Sequence, residues 1–222
     1  MVKICVSVQA TTTAAAVEAI HGLDKPDLVE LRLDYASERL NLEKLREATD
    51  APLIATARTP SHGGRWAGDE EERQRLLISA AKTGFDYADV EADSDALDEL
   101  VGRLHYNHAS VIVSRHYLDR TPPLDEILSI HVEAKRAHAD IVKVVGTAQS
   151  PADNLPCLGY LAEEPGNVSF AMGVHGVPSR VLSPLMGGAF AYASAGEGAA
   201  VAPGQPTLRS LREAYRLMGV SV

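Results

Sequence analysis

Leu28-Val29-Glu30-Leu31-Arg32-Leu33-Asp34 has the pattern of a strand with two unlike faces. Successive side chains of a strand point to opposite sides. Val29, Leu31 and Leu33 form an apolar side suited to packing on helices. Glu30, Arg32 and Asp34 form a charged side that needs an interior of its own. The same division recurs along the chain. In Leu53–Arg58, Thr56 and Arg58 stand opposite Ala55 and Ala57, and in Tyr87–Asp93, Asp89, Glu91 and Asp93 share a face. Ser114 and His116 close the segment Val111–His116, Lys143 sits within Ile141–Gly146, and Asn167–Gly173 carries Phe170 and Met172. With Lys3–Gln9 and the Ala-rich Ala189–Ala195, these segments make eight expected strands.

Between the strands lie stretches of helical periodicity, clearest at Asp69–Lys82, Leu124–His138 and Thr207–Met218. Thr11 to Thr13, Asp69 and the Pro122-Pro123 pair supply starts for such helices. Strand then helix, repeated, implies parallel strands joined by right-handed crossovers. Eight such units favour a closed α/β barrel, the (β/α)8 or TIM barrel, over an open doubly wound sheet. No Gly-x-Gly-x-x-Gly follows the first strand and no Walker motif occurs, so dinucleotide and P-loop chemistry have no support. The whole span 1–222 is expected to be one catalytic domain, with Gly196–Pro206 a loop after the last strand.

Composition narrows the classes. The chain has 222 residues, 45% hydrophobic, enough for one sizeable core. A formal charge of -9 argues against a nucleic-acid partner, which needs clustered Lys and Arg, although a locally basic pocket can still take an anion. Two cysteines, Cys5 and Cys157, suggest packing residues in a reducing cytoplasm rather than a disulfide framework. No signal-like segment opens the sequence, and no apolar run is long enough for a bilayer.

Barrel enzymes do their chemistry at the C-terminal strand ends. Ionised groups are costly to bury, so an interior holding Glu30, Arg32, Arg58, Glu91, His116 and Lys143 demands dense pairing or a function. Lys143 is the most pointed of these. It lies in Ile-Val-Lys-Val-Val, which otherwise has the pattern of a buried strand. Burial disfavours an ammonium and favours a neutral, nucleophilic amine, as imine formation with a ketone requires. A lysine on an edge strand could instead keep its head in water, but a closed barrel has no edge. His116, at the end of the neighbouring strand, is suited to take and return a proton near neutrality. His105 and His108 have a spacing that could suit a metal but no evident partner acid, and no metal site is expected. Asp69-Glu70-Glu71-Glu72 is most simply the acidic first turn of a helix.

Taken in order, these segments resemble the type I 3-dehydroquinate dehydratases. The resemblance rests on Val-Glu-Leu-Arg-Leu-Asp at 29–34, Ala-Thr-Ala-Arg at 55–58 with Gly63-Gly64, and Asp89-Val-Glu91. It continues through Ser114-Arg-His116, Ile141-Val-Lys143, Phe170-Ala-Met172-Gly173, Ser179-Arg180 and Ala202-Pro-Gly-Gln205, covering nearly the whole chain. It implies a homodimeric barrel with no metal or organic cofactor, acting on 3-dehydroquinate. Lys143 would form the imine, and His116 would act as general base and acid. Arg180 would hold the substrate carboxylate. Ser7, Glu30, Arg32 and Arg58 would bind or position ring hydroxyls, Met172 would pack beside the imine, and Gln205 would close over the pocket.

Three segments depart from the pattern. His62 stands where members carry a glutamate that partners the histidine. Ser114-Arg-His-Tyr-Leu118 replaces Ser-Tyr-His-Asp-Phe, and Val201 replaces a serine on the closing loop. A class I aldolase would share the strand-six lysine but would need a phosphate site near strands seven and eight, where Arg180 and Gln205 suit a carboxylate instead. A barrel kept only for binding need not retain Lys143, His116 and Arg180 together.

Overall fold

The computed structural model describes residues 1–222 and contains eight parallel strands, each followed by helix. The strands are β1 (Ile4–Gln9), β2 (Leu28–Arg32), β3 (Leu53–Thr56), β4 (Tyr87–Glu91), β5 (Ser110–His116), β6 (Ile141–Thr147), β7 (Val168–Met172) and β8 (Ala191–Ser194). The intervening helices are α1 (Thr13–His21), α2 (Leu42–Glu47), α3 (Glu70–Lys82), α4 (Leu97–Tyr106), α5 (Leu124–Arg136), α6 (Asn154–Glu163), α7 (Val177–Leu182) and α8 (Leu208–Leu217). The sheet runs β7-β6-β5-β4-β3-β2-β1-β8, so consecutive strands are neighbours and β8 returns to β1. This is the (β/α)8 barrel that the alternating pattern predicts.

One feature differs from a fully closed barrel. No ladder joins β7 to β8. Their lower ends are tied by Ala189 N donating to Asn167 O (2.8 Å) and Gly166 N to Gly187 O (2.7 Å). Above that the seam is filled by side chains and by the loop after β8.

Helix starts follow the local chemistry. Thr12 and Thr207 cap α1 and α8 with their side chains. Asp69 and Glu72 form a reciprocal capping box on α3, so the acidic run is a helix start as expected. The α5 helix ends at Arg136, short of His138, which takes a left-handed backbone (φ 62) that no helix continues. Likewise β2 stops at Arg32, because Leu33–Tyr35 turns into a single 3-10 turn.

Strand alternation divides the molecule into two apolar zones. Val29, Leu31, Ala55, Val90, Val111, Val113, Val142 and Val144 face outward and pack on Leu77, Leu100, Leu104 and Ile127 of the helices. Inside the barrel, Cys5, Leu28, Ile54, Ile112 and Val168 form an apolar floor. Two residues further along β1, β2, β3, β5 and β6 the interior becomes polar, with Ser7, Glu30, Thr56, Ser114 and Lys143 all buried, while β7 carries Phe170. The floor keeps water from entering below, and the helices seal the sides. The charged layer therefore opens only toward the C-terminal mouth.

Candidate active site

Lys143 lies at the middle of β6 and is 4% exposed. Its Nζ donates to Asp89 Oδ2 (2.9 Å) and to Tyr192 Oη (3.1 Å), and lies 3.6 Å from Glu30 Oε1. Burial alone would leave this ammonium stranded, as the sequence suggests. The structure instead matches it with two carboxylates. Asp89 in turn receives Arg58 Nη2 (2.7 Å) and the Ser114 hydroxyl (2.6 Å). Burial would raise the Asp89 carboxyl, but the charges of Arg58 and Lys143 outweigh it and hold the group well below the usual range. Glu30 is fixed by donations from Ser7 Oγ (2.7 Å) and Thr56 Oγ1 (3.1 Å). Every buried charge in this layer has a partner, and deleting one partner of such a pair typically costs about 3–5 kcal/mol.

His116 ends β5 at the mouth, partly buried, with its Nδ1 buried and free of any protein partner. Burial, then the charges of Arg58 and Lys143, push its pKa well below 6.5, so the ring is a neutral base at neutral pH. No carboxylate bonds to it. Its neighbour is His62, whose ring meets it edge-on at 5.9 Å between centroids. His62 is buried, and its Nε2 lies 3.1 Å from Asp93 Oδ2, which also pairs with Arg115. The position where a glutamate is expected thus supplies an anchored imidazole whose carboxylate is one residue further out.

Arg180, on α7, is 3% exposed and faces no carboxylate. Its guanidinium lies 4.4 Å over the Phe170 ring, donates through Nη2 to Pro203 O (3.1 Å), and leaves Nε without a partner. Burial lowers its pKa to about 10, which still leaves it charged at neutrality. A desolvated, unpaired guanidinium is a prepared anion site. The loop after β8 covers it. Gln205 donates to Ser7 Oγ (3.3 Å) and accepts from Val201 N (2.9 Å), pinning the loop across the mouth. Gly204 makes this possible: its φ is +72°, and a Cβ there would meet the Gly173 carbonyl oxygen at 2.5 Å.

The structure brings all nine residues singled out for the site, Lys143, His116, Ser7, Glu30, Arg32, Arg58, Met172, Arg180 and Gln205, into one pocket of about 320 Å³. Their internal engagements differ from expectation. Arg32 is gripped by Asp34 through two bonds of 2.8 and 2.7 Å, and Arg58 is held by Asp89 and Ser114. Asp89 and Tyr192 were missed. Strand alternation turns both Asp89 and Glu91 inward, and register sets Glu91 level with Ser114 and Lys143, but the tilt of the strands brings Asp89 to the amine. Glu91 instead accepts from Thr59 N and Oγ1 (both 2.9 Å) with Arg73 nearby at 3.7 Å. Tyr192 sits in an Ala-rich strand that carries no local signal. His105 does find an acid, Asp140 at 2.8 Å, in an exposed pair.

Ligand atoms of His62, Glu91 and Asp93 lie within 4.8 Å of one another, a set that could approach a cation. Arg58 and Arg73 beside Glu91, and Arg115 on Asp93, already engage those carboxylates. No helix of the structure is long and apolar enough to cross a membrane.

Fold and pocket together define a barrel enzyme organised around a buried lysine. The family model described as type I 3-dehydroquinase matches residues 4–222. A 3-dehydroquinate dehydratase of Dehalococcoides mccartyi is 38% identical over 189 residues, 84% of each chain. The 3-dehydroquinate dehydratase of Geobacillus kaustophilus superposes with a TM-score of 0.89 at 26% identity, covering 99% of this chain and 91% of that one. The type I enzyme of Clostridium difficile, solved with covalently modified comenic acid, gives 0.87 at 26% identity, covering 98% and 92%. The chain belongs to the type I 3-dehydroquinase family, and with it to the hydro-lyases that dehydrate 3-dehydroquinate.

The His116 environment sets a pH dependence. Below 6.5 an unfolded chain takes up a proton that the folded ring refuses, so this group's contribution to stability falls as pH drops below 6.5. For the same reason the base stays competent into mildly acid solution. The acid limb of kcat/KM assigned to His116 is expected below pH 6.5, read from a pH–rate profile. A limb above 6.5 that vanishes in His116→Ala would show the ring to be more basic than its surroundings imply.

Proposed function

We propose that the chain removes water from 3-dehydroquinate through an imine at Lys143, with His116 as general base and then acid. The observation that carries this reading is the pairing, in one pocket, of a buried lysine with a buried arginine that has no carboxylate of its own. Arg180 takes the substrate carboxylate, which sets the ring ketone toward Lys143. Nζ passes one proton to Glu30, its lone pair forms the C–N bond, and a second nitrogen proton moves to the carbonyl oxygen. With the proton returned by Glu30 that oxygen leaves as water, giving a cationic imine. That cation draws electrons from the adjacent carbon. His116 removes a proton there to give an enamine, and returns it to the departing hydroxyl. Hydrolysis of the imine then frees Lys143 and 3-dehydroshikimate. Ser7, Glu30, Arg32 and Arg58 contact ring hydroxyls, and Met172 packs against the imine. Gln205 keeps the loop shut, which limits early hydrolysis. These steps draw on side chains alone and need no cofactor. The Clostridium difficile relative was solved with covalently modified comenic acid, which supports a covalent route.

The barrel of residues 1–222 serves as one catalytic domain in this reading. It works in the cytoplasm, consistent with two buried, free cysteines. Its second copy docks on the face of α6, α7 and their flanking turns, where Leu155, Val174, Val177, Leu185 and Met186 are exposed. Sedimentation is expected to give twice the chain mass, and Leu155→Asp with Val174→Asp to halve it. A chain mass for the unsubstituted protein at high concentration would remove the dimer.

Borohydride added during turnover tests the chemistry. It should leave the reduced substrate bonded to the peptide containing Lys143, seen by mass spectrometry. Product formation with no adduct on any lysine would discard the imine. An adduct with pyruvate or a sugar phosphate, and none with 3-dehydroquinate, would point to an aldolase instead.

A further inference from the structure

Tyr192 is the one neighbour of the Lys143 amine with a hydroxyl hydrogen to spare. The hydroxyls of Ser7 and Thr56 donate to Glu30, and that of Ser114 donates to Asp89. Asp89 and Glu30 offer acceptor oxygens to Nζ. Tyr192 Oη accepts from Nζ at 3.1 Å and makes no donation of its own. The ring is 4% exposed and lines the pocket. It is held rigidly, edge-on to Phe190 at 5.3 Å and tilted against Phe170 at 6.0 Å, and Nζ lies 4.3 Å from its centroid. Burial, then the charge of Glu30, raises its pKa well above 10, so the hydroxyl keeps its hydrogen through neutral pH.

Amine attack on a ketone places a negative oxygen beside a positive nitrogen, and a proton must pass between them. The Tyr192 hydroxyl already lies 3.1 Å from that nitrogen. We propose that Tyr192 is a further catalytic residue that relays this proton between Lys143 Nζ and the substrate carbonyl oxygen, an assignment that rests on the imine reading above. Once Nζ has passed one proton to Glu30, the nitrogen lone pair forms the C–N bond, and the carbonyl π pair moves onto oxygen. That oxygen takes the Tyr192 hydroxyl proton while Oη takes one from the cationic nitrogen. A neutral carbinolamine forms and the tyrosine is restored, and the proton held on Glu30 departs with the hydroxyl as water when the imine forms. After water has added to the product imine, the same exchange in reverse releases ketone and amine.

Tyr192→Phe keeps the ring and removes the hydroxyl. Excess protein is mixed rapidly with 3-dehydroquinate and quenched with borohydride, giving the rate of adduct formation at Lys143. The variant is expected to form adduct about 10²-fold more slowly, in the range for losing a positioned acid–base group. The deuterium isotope effect on kcat, for substrate labelled at the carbon that His116 deprotonates, should shrink toward unity as imine formation becomes limiting. Adduct formation at the unsubstituted rate would overturn the relay, as would slow turnover with an unchanged isotope effect. 3-Fluorotyrosine at 192 retains the hydroxyl and should recover most of the rate; recovery no better than Phe would also overturn it. Absence of adduct in the unsubstituted protein would overturn the imine and the relay together, whereas a normal Tyr192→Phe overturns the relay alone.

Discussion

The ion pair between Lys143 and Asp89, buried across β6 and β4, is the constraint on which the rest depends. A charged amine inside a barrel is tolerable only if a carboxylate meets it, and a carboxylate there only if further cations and donors meet the remaining lone pairs. Arg58, Ser114, Glu30, Ser7 and Thr56 follow from that requirement, each on a different strand or on the face that strand pairing turns inward. The network holds Nζ in one place below the mouth. The apolar floor beneath shields the network from water on that side, which strengthens each of these interactions.

Much of this was legible in the sequence because a strand's period is two. Leu28–Asp34 separates its charged and apolar faces cleanly, and the same division in β3, β4 and β6 predicts a polar interior. The position of Lys143 in an otherwise apolar run survives into the structure as a buried amine. What alternation cannot give is register and strand tilt. Ser114 pairs with both Lys143 and Glu91, and Asp89 with Ile112, yet the amine meets Asp89, because the tilt of barrel strands offsets side chains that share a register level. Tyr192 was hidden for a related reason. Its strand, Ala191–Ser194, is short and Ala-rich, and the open β7–β8 seam brings its ring to Nζ only in three dimensions. The sequence argument that a barrel has no edge holds for the ladder from β7 round to β8 and fails at that seam, where Arg180 and the closing loop enter.

The departure at His62 also has a physical resolution. An imidazole cannot replace a carboxylate as a fixed negative partner. His62 is nonetheless held by Asp93 and meets His116 edge-on, so steric support is kept while the negative charge moves outward. Burial and the flanking cations then leave His116 neutral, the form a base requires. Val201, in place of a serine, contributes its backbone N–H to Gln205, so the loop closes through main chain and through Gln205 to Ser7.

A crystal structure of the protein flash-cooled during turnover of 3-dehydroquinate tests the central claim most directly. The account predicts continuous density from Lys143 Nζ to a ring carbon, with the ring carboxylate paired to Arg180 beneath the loop pinned by Gln205. A ring bound in the pocket with no bond to Nζ, or with its carboxylate turned away from Arg180, would contradict it.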